Sequence, residues 1–172
     1  MKKWLLLYHS GARGDFLNSI LFGDILLQSY KNPWIIVTGT DQTLRMHGYN
    51  EVYSPHYTFT KFEDFNVLRI KAEDKFDIMC IAKLATHKLM KDSDIKYDNV
   101  LSVSNFENTF SKLDFQFQLI VPFKKLFDIE YINKLFYQIR NNYLTPEEQD
   151  RILYNIKLNL DILDSYNIEF KI

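Results

Sequence analysis

The chain reads as an α/β domain with a mainly parallel sheet and helices gathered at its C-terminal end. Three observations predict this. Four apolar, strand-like runs near residues 3, 34, 66 and 115 alternate with helical patterns, the signature of βα units. The first run passes through a short glycine-bearing turn, Ser10-Gly11-Ala12-Arg13-Gly14-Asp15, into a helix. The last third carries two helices with clear start signals.

Lys3–His9 (KWLLLYH) is the first strand, and Phe16–Gln28 (FLNSILFGDILLQ) reads as the first helix. Pro33 interrupts, and Trp34–Thr38 (WIIVT) reads as a second strand. Gly39–Thr60 reads as irregular, punctuated by Gly39, Gly48 and Pro55, with a short strand at Glu51–Tyr53 as the plainest regular feature. Long polar-aromatic segments of this kind are often functional, and this one holds Arg45, His47, Tyr49, Tyr53, His56 and Tyr57. Asn66–Lys71 (NVLRIK) is the next strand. Asp74–Met90 follows as a helix with a broad apolar face. Val100–Val103 reads equally as strand or loop, and Phe115–Pro122 (FQFQLIVP) as the last clear strand. Asp128 caps a helix over 128–141. Thr145-Pro146-Glu147-Glu148 starts another: Thr145 as cap, Pro146 at the first helical position, Glu148 closing a capping box. Its apolar stripe is Ile152, Leu153, Ile156, Leu160 and Leu163, and Ile168–Ile172 is either an edge strand or a docked extension.

A length of 172 residues with 47% hydrophobic and 25% charged residues suits one domain, 1–172, with a sizeable core. Aromatic content reaches 16%, and with abundant Lys, Asn and Ile it fits an AT-rich genome. The net charge of −1, with no basic stripe, argues against nucleic acid as a partner. No segment reaches the roughly 20 apolar residues of a membrane span. The apolar part of MKKWLLLYHSG is shorter than the roughly 7–15 residues of a signal peptide core. The default expectation is therefore a cytoplasmic protein (host cytoplasm or virion if phage-encoded). Cys80, alone in the chain, lies in the apolar stretch IMCIA and reads as a buried thiol. Glu63-Asp64 and Glu73-Asp74 lack metal-site spacing to a histidine, so no metal site is expected.

The glycine turn carries the chemistry. A strand, a glycine loop and a helix N-terminus together aim backbone N–H groups at an anion. His9, Ser10, Gly11, Ala12, Arg13, Gly14 and Asp15 are its residues. Gly11 and Gly14 read either as an anion cradle or as a tight turn. Arg13 reads as an anion contact, since a guanidinium grips phosphate or sulfate through two donors, or as a solvated surface arginine. His9 ends its strand at the ligand edge, as a phosphate donor or general acid, or packed against the loop. Arg69 sits between Leu68 and Ile70, aimed at the ligand edge or paired with a carboxylate. His87, beside Lys88, reads as a surface residue, and Arg13-Gly14-Asp15 spells an adhesion tripeptide with no extracellular signal to support it. The ATP/GTP-type loop needs a lysine and a hydroxyl that are missing here, which disfavours an ATPase, a GTPase or a small-metabolite kinase.

Tyr8-His9-Ser10-Gly11-Ala12-Arg13-Gly14-Asp15-Phe16-Leu17 resembles the phosphate loop of the sulfotransferase-like P-loop proteins, with Ser10 and Gly11 on the matching serine and glycine. Val67–Lys71 is similar to that family's strand ending near the 3′-phosphate site, and Val121–Asp128 to its late strand and turn. Small phage and bacterial proteins with GxxGxFL-type loops are the subgroup it looks like. The resemblance implies a three-layer P-loop-type domain and transferase chemistry. The donor is 3′-phosphoadenosine 5′-phosphosulfate, the acceptor a hydroxyl- or amine-bearing small molecule. Ser10, Gly11, Ala12, Arg13, Gly14, Asp15 and Arg69 would bind the nucleotide. His9 and Arg13 would supply charge, and His47 would be the base that deprotonates the acceptor. Here His9 stands where the family has its loop lysine, and Ala12 and Arg13 replace its hydroxyl residues. The alternative expectation is a non-catalytic P-loop relic, a structural or interaction module with a protein partner, for instance in a phage particle.

Overall fold

A computed structural model describes residues 3–9, 11–23, 43–48, 65–89 and 119–171. Strand β1 is Lys3–His9, followed by helix α1, Gly14–Phe22, and strand β2, Thr43–Gly48. Strand β3 is Phe65–Lys71 and helix α2 is Lys75–Leu89. Strand β4, Leu119–Pro122, runs into a 3₁₀ helix, Phe123–Phe127, and then helix α3, Ile129–Arg140, and helix α4, Pro146–Ser165.

The four strands form one sheet in the order β2-β1-β3-β4, and every neighbouring pair is parallel. From β1 the chain adds β2 on one side and then β3 on the other. The strand order therefore reverses at β1, and the loops leaving β1 and β3 flank that reversal.

Strands β1 and β3 are buried on both faces, as inner strands of a parallel sheet in an α/β fold are. Register pairs Leu6 with Leu68 and Ile70 with Val121. These side chains join the core beneath the helices, with Phe16, Leu17, Ile81 and Leu163. Leu5, Leu7 and Val67, on the opposite face by the period-2 alternation of a strand, are equally buried. Helix contacts run continuously from α1 to α3, α3 to α4 and α4 to α2.

The helix starts follow their sequence signals. Asp128 accepts from the backbone N–H groups of Glu130 and Tyr131. Thr145 and Glu148 complete the capping box in both directions. At the head of α2, Asp74 accepts from the Asp77 N–H while the Asp77 carboxylate accepts from the Glu73 N–H, both at 2.8 Å. After α4, Asn167 turns left-handed (φ 57°), and the N–H groups of Asn167 and Ile168 return to the carbonyls of Asp164 and Leu163. This αL turn closes the helix by the 5→2 and 6→1 bonds of the Schellman pattern. Residues 168–171 form no strand. They dock, with Ile168 buried and Phe170 packed against the core.

Three expectations change. The strand that pairs with β1 is Thr43–Gly48, within the segment expected to be irregular. Its sequence, TLRMHG, mixes polar and apolar residues and so lacks the continuous apolar run that marks β1. The first helix begins two residues earlier than expected, at Gly14. Along α4, Leu153 is exposed and Ile162 takes a buried place instead. The expected strands at 34–38, 51–53 and 100–103, and residues 24–28 and 115–118, lie outside the described residues.

Lys124, in the 3₁₀ helix after β4, reaches back to α2. Its Nζ donates to Asp74 at 2.6 Å and lies 3.6 Å from Asp77, whose side chain is fully buried. The Lys124 hydrogen bond holds Asp74 below its usual pKa against the opposing push of burial, and Asp74 in turn raises Lys124. Burial raises Asp77. The linkage signs follow. Asp74 contributes stability above 3.8 that is lost as pH falls; Lys124 contributes stability below 10.5 that is lost as pH rises. Asp77 opposes, favouring the neutral carboxyl and so the acid side. Urea denaturation of the wild type and Lys124→Met across pH is therefore expected to show a stability gap that is widest between about pH 5 and 9 and narrows on both sides. A gap independent of pH would mean that Lys124 acts only through its alkyl stem.

Candidate functional site

The β1–α1 loop occupies the carboxyl end of the strand at which the order reverses, where open parallel sheets bind ligands. The chain turns tightly there: the Ala12 N–H donates to the His9 carbonyl at 2.9 Å. Two glycines permit the turn, each for a stated reason. Gly11 has φ +87°, and a Cβ there would overlap the Ile81 carbonyl oxygen and Ala85 of α2. At Gly14 a Cβ would clash with the ring of Tyr8. The loop is thus clasped between α2 and the strand that precedes it.

Helix α1 opens without a side-chain cap. Its cap residue is Arg13, itself left-handed at φ 60°. The first N–H groups of a helix have no intrahelical acceptor, and its N-terminus carries partial positive charge. Asp15, in the first turn, places a carboxylate against that charge and accepts a 2.8 Å hydrogen bond from the Tyr8 hydroxyl.

Arg13 was expected at a bound anion or in solvent. The structure turns it into the interior, 5% exposed. Its guanidinium lies over the Phe16 ring at 3.8 Å from the centroid and over the Phe127 ring at 4.6 Å. Nη1 donates to the Leu126 carbonyl at 3.2 Å, and Nη2 to Asn155 Oδ1 at 2.9 Å. Asn155 is held in turn by Asn159, whose Nδ2 donates to its carbonyl and to Oδ1. Burial pushes the guanidinium down to about 9, so it remains charged at neutral pH. Its salt-bridge partners among the described residues include no carboxylate, and Nε has no acceptor there. Magnitudes explain why the arrangement holds. Desolvating a charge costs several kcal/mol. Two hydrogen bonds to a charged group return roughly 1.5–3 kcal/mol each, and two ring faces add roughly 1–2 kcal/mol each.

His9 is buried at the end of β1, paired by register with Gly48. Arg69 is buried on β3, paired with Leu7 and Ile120, and burial lowers its pKa to about 10. Since Leu7 and His9 alternate onto the same face, the structure brings His9 and Arg69 to one face of adjacent strands at the reversal. His47 lies on β2, opposite Tyr8 in register, rather than in an irregular segment. Ser10 and His56 lie outside the described residues. His87 is exposed on α2. Cys80 is fully buried, and burial pushes its thiol up to about 12, so it is unreactive at neutral pH. Among the described residues no group of three His, Cys, Asp or Glu lies close enough to hold a metal, and no helix is long and apolar enough to cross a membrane.

Sequence reading missed Asn155 and Asn159. Their signal was present: two asparagines four apart on the same helical stripe as Ile152, Ile156 and Leu163, where a polar residue needs a buried partner.

Comparison with protein-family models, with curated proteins and with solved structures finds no match.

Arg13→Ala removes a charge, two hydrogen bonds and the contacts with two rings, leaving the Leu126 carbonyl and Asn155 Oδ1 each with one bond fewer. It is expected to cost about 3 kcal/mol in chemical denaturation. Arg13→Lys restores one donor and no planar face, and is expected to recover less than half of that. Full stability in Arg13→Ala would mean that the guanidinium bridges nothing.

Proposed function

We propose that this chain is a small P-loop-type domain that binds a phosphate-bearing nucleotide of the phosphoadenosine class over the β1–α1 loop. One observation carries the reading: a two-glycine turn leads from an inner parallel strand into the uncapped N-terminus of α1, at the point where the strand order reverses. Gly11, Ala12, Gly14 and the amide of Asp15, with Ser10 before them, are the backbone that would cradle the 5′-phosphate. His9 and Arg69 share one face of the adjacent strands β1 and β3, and in this reading they would meet the nucleotide's 3′-phosphate. These are the features that fit such a nucleotide.

In this reading the chain is sulfotransferase-like. The bound donor supplies a sulfonyl group that passes to a hydroxyl or amine, and His47 is the residue proposed to take the acceptor's proton. This reading gives Arg13 no part in that chemistry, because Nη1 and Nη2 are bound inside the protein and the guanidinium lies over the Phe16 and Phe127 rings. Its contribution is to hold the loop. The same occupation favours a second reading, a non-catalytic module whose loop is a structural turn and whose ligand is another protein.

Calorimetric titration with 3′-phosphoadenosine 5′-phosphate, with ATP and inorganic sulfate as controls, separates the two. Micromolar binding to the first is expected. Asp15→Asn is expected to tighten it roughly threefold or more, because a carboxylate beside the helix N-terminus repels a bound anion. Absence of heat with any of these ligands at millimolar concentration would leave the protein-binding module.

A further inference from the structure

The segment that follows α4 makes a contact that reaches the loop from the far end of the chain. The Phe170 ring lies 4.4 Å from Phe127, 5.8 Å from Phe76 and 6.2 Å from Phe123, centroid to centroid. Phe127 is also one of the two rings that enclose the Arg13 guanidinium, and its neighbour Leu126 supplies the carbonyl that Arg13 binds. Half of what holds Arg13 therefore belongs to the short 3₁₀ helix against which Phe170 packs.

We propose that residues 166–171 are a strap whose Phe170 presses the 3₁₀ helix onto Arg13, so that seating the strap sets the order of the β1–α1 loop. The strap is lightly built. It has no strand pairing, its apolar anchors are the buried Ile168 and the half-buried Tyr166 and Phe170, and Asn167, Glu169 and Lys171 are exposed. Segments with few buried contacts open at lower free energy than the sheet they cover. Beneath it the coupling is direct. When Phe170 leaves, Phe127 loses its closest ring neighbour. Arg13 then keeps Phe16 and Asn155 but loses its firm support from the 3₁₀ helix. Arg13 is the cap residue of α1, and its carbonyl accepts the Leu17 N–H at 3.0 Å. Loosening it loosens the first turn of the helix and the turn before it. The device concerns the loop itself and stands whatever the loop binds.

Residue-resolved hydrogen exchange on the full chain tests this with Phe170→Ala and Phe170→Leu, and with Glu169→Ala and Lys171→Ala as solvent-facing controls. In Phe170→Ala the amides of Ala12 and Leu17 are expected to exchange roughly tenfold faster or more, while β1 and β3 amides change by less than about twofold. Phe170→Leu is expected to show the same pattern at smaller size, and serves if the alanine variant does not fold. The two controls are expected to leave the loop unchanged. Unchanged loop exchange in a folded Phe170 variant, or acceleration of every amide by one factor, would overturn the strap and leave Phe170 an ordinary core residue.

Discussion

One buried guanidinium ties the two ends of this domain together. Arg13 stands where β1 becomes α1, and it binds a carbonyl from the 3₁₀ helix and an amide from α4. An arginine can do this because its donors form a rigid planar fork with two stacking faces; a lysine offers a single point charge. Stripping water from the charge would be prohibitive with nothing in return. Among the described residues the return comes from hydrogen-bonding dipoles and ring quadrupoles. Such an arrangement works only while every element stays in position, so the loop, the 3₁₀ helix and α4 are held as a unit. The Asn155–Asn159 pair belongs to the same system, since it fixes the acceptor that Arg13 needs.

The loop's geometry comes from close approach as much as from charge. Gly11 lies on the backbone of α2 and Gly14 lies on the face of Tyr8, so neither position has room for a side chain. The result is a rigid turn at the ligand edge of a parallel sheet, with the N-terminus of a helix behind it. Two different pressures meet there. The helix end favours negative charge, and Asp15 already supplies some of it. The interior favours no charge, and Arg13 supplies one. A ligand binding at this edge has to compete with the first and leave the second undisturbed.

Elements with strong local signals were legible in the sequence. The apolar run of β1, the NVLRIK strand, the Asp128 and Thr145 caps and most of the helical stripes that follow them, Leu153 excepted, lie where the pattern puts them, because each is decided by its own residues. The glycine turn was legible as well, and so was the burial of Cys80. What escaped was decided at long range. Strand β2 owes its place to pairing with β1 rather than to its own composition. The interior position of Arg13 depends, beyond the nearby Phe16, on partners more than a hundred residues away, which no window around the loop contains. The docked tail was one of two open readings, since a short run ending in Phe170 suits an edge strand as well as an aromatic plug.

The place of β1 in the sheet bears on how the chain is made. β1 emerges first among the described strands, yet it lies inside the sheet, with one edge awaiting β2 and the other awaiting β3. Arg13 must then wait for partners 113 and 142 residues further on. Contacts between such distant residues close large loops, which slows folding. During synthesis the hydrophobic LLL of β1 is on offer to any strand or chaperone before its own neighbours exist. Helix α4, made after the other described helices, is the one that completes the interior around the β1–α1 turn.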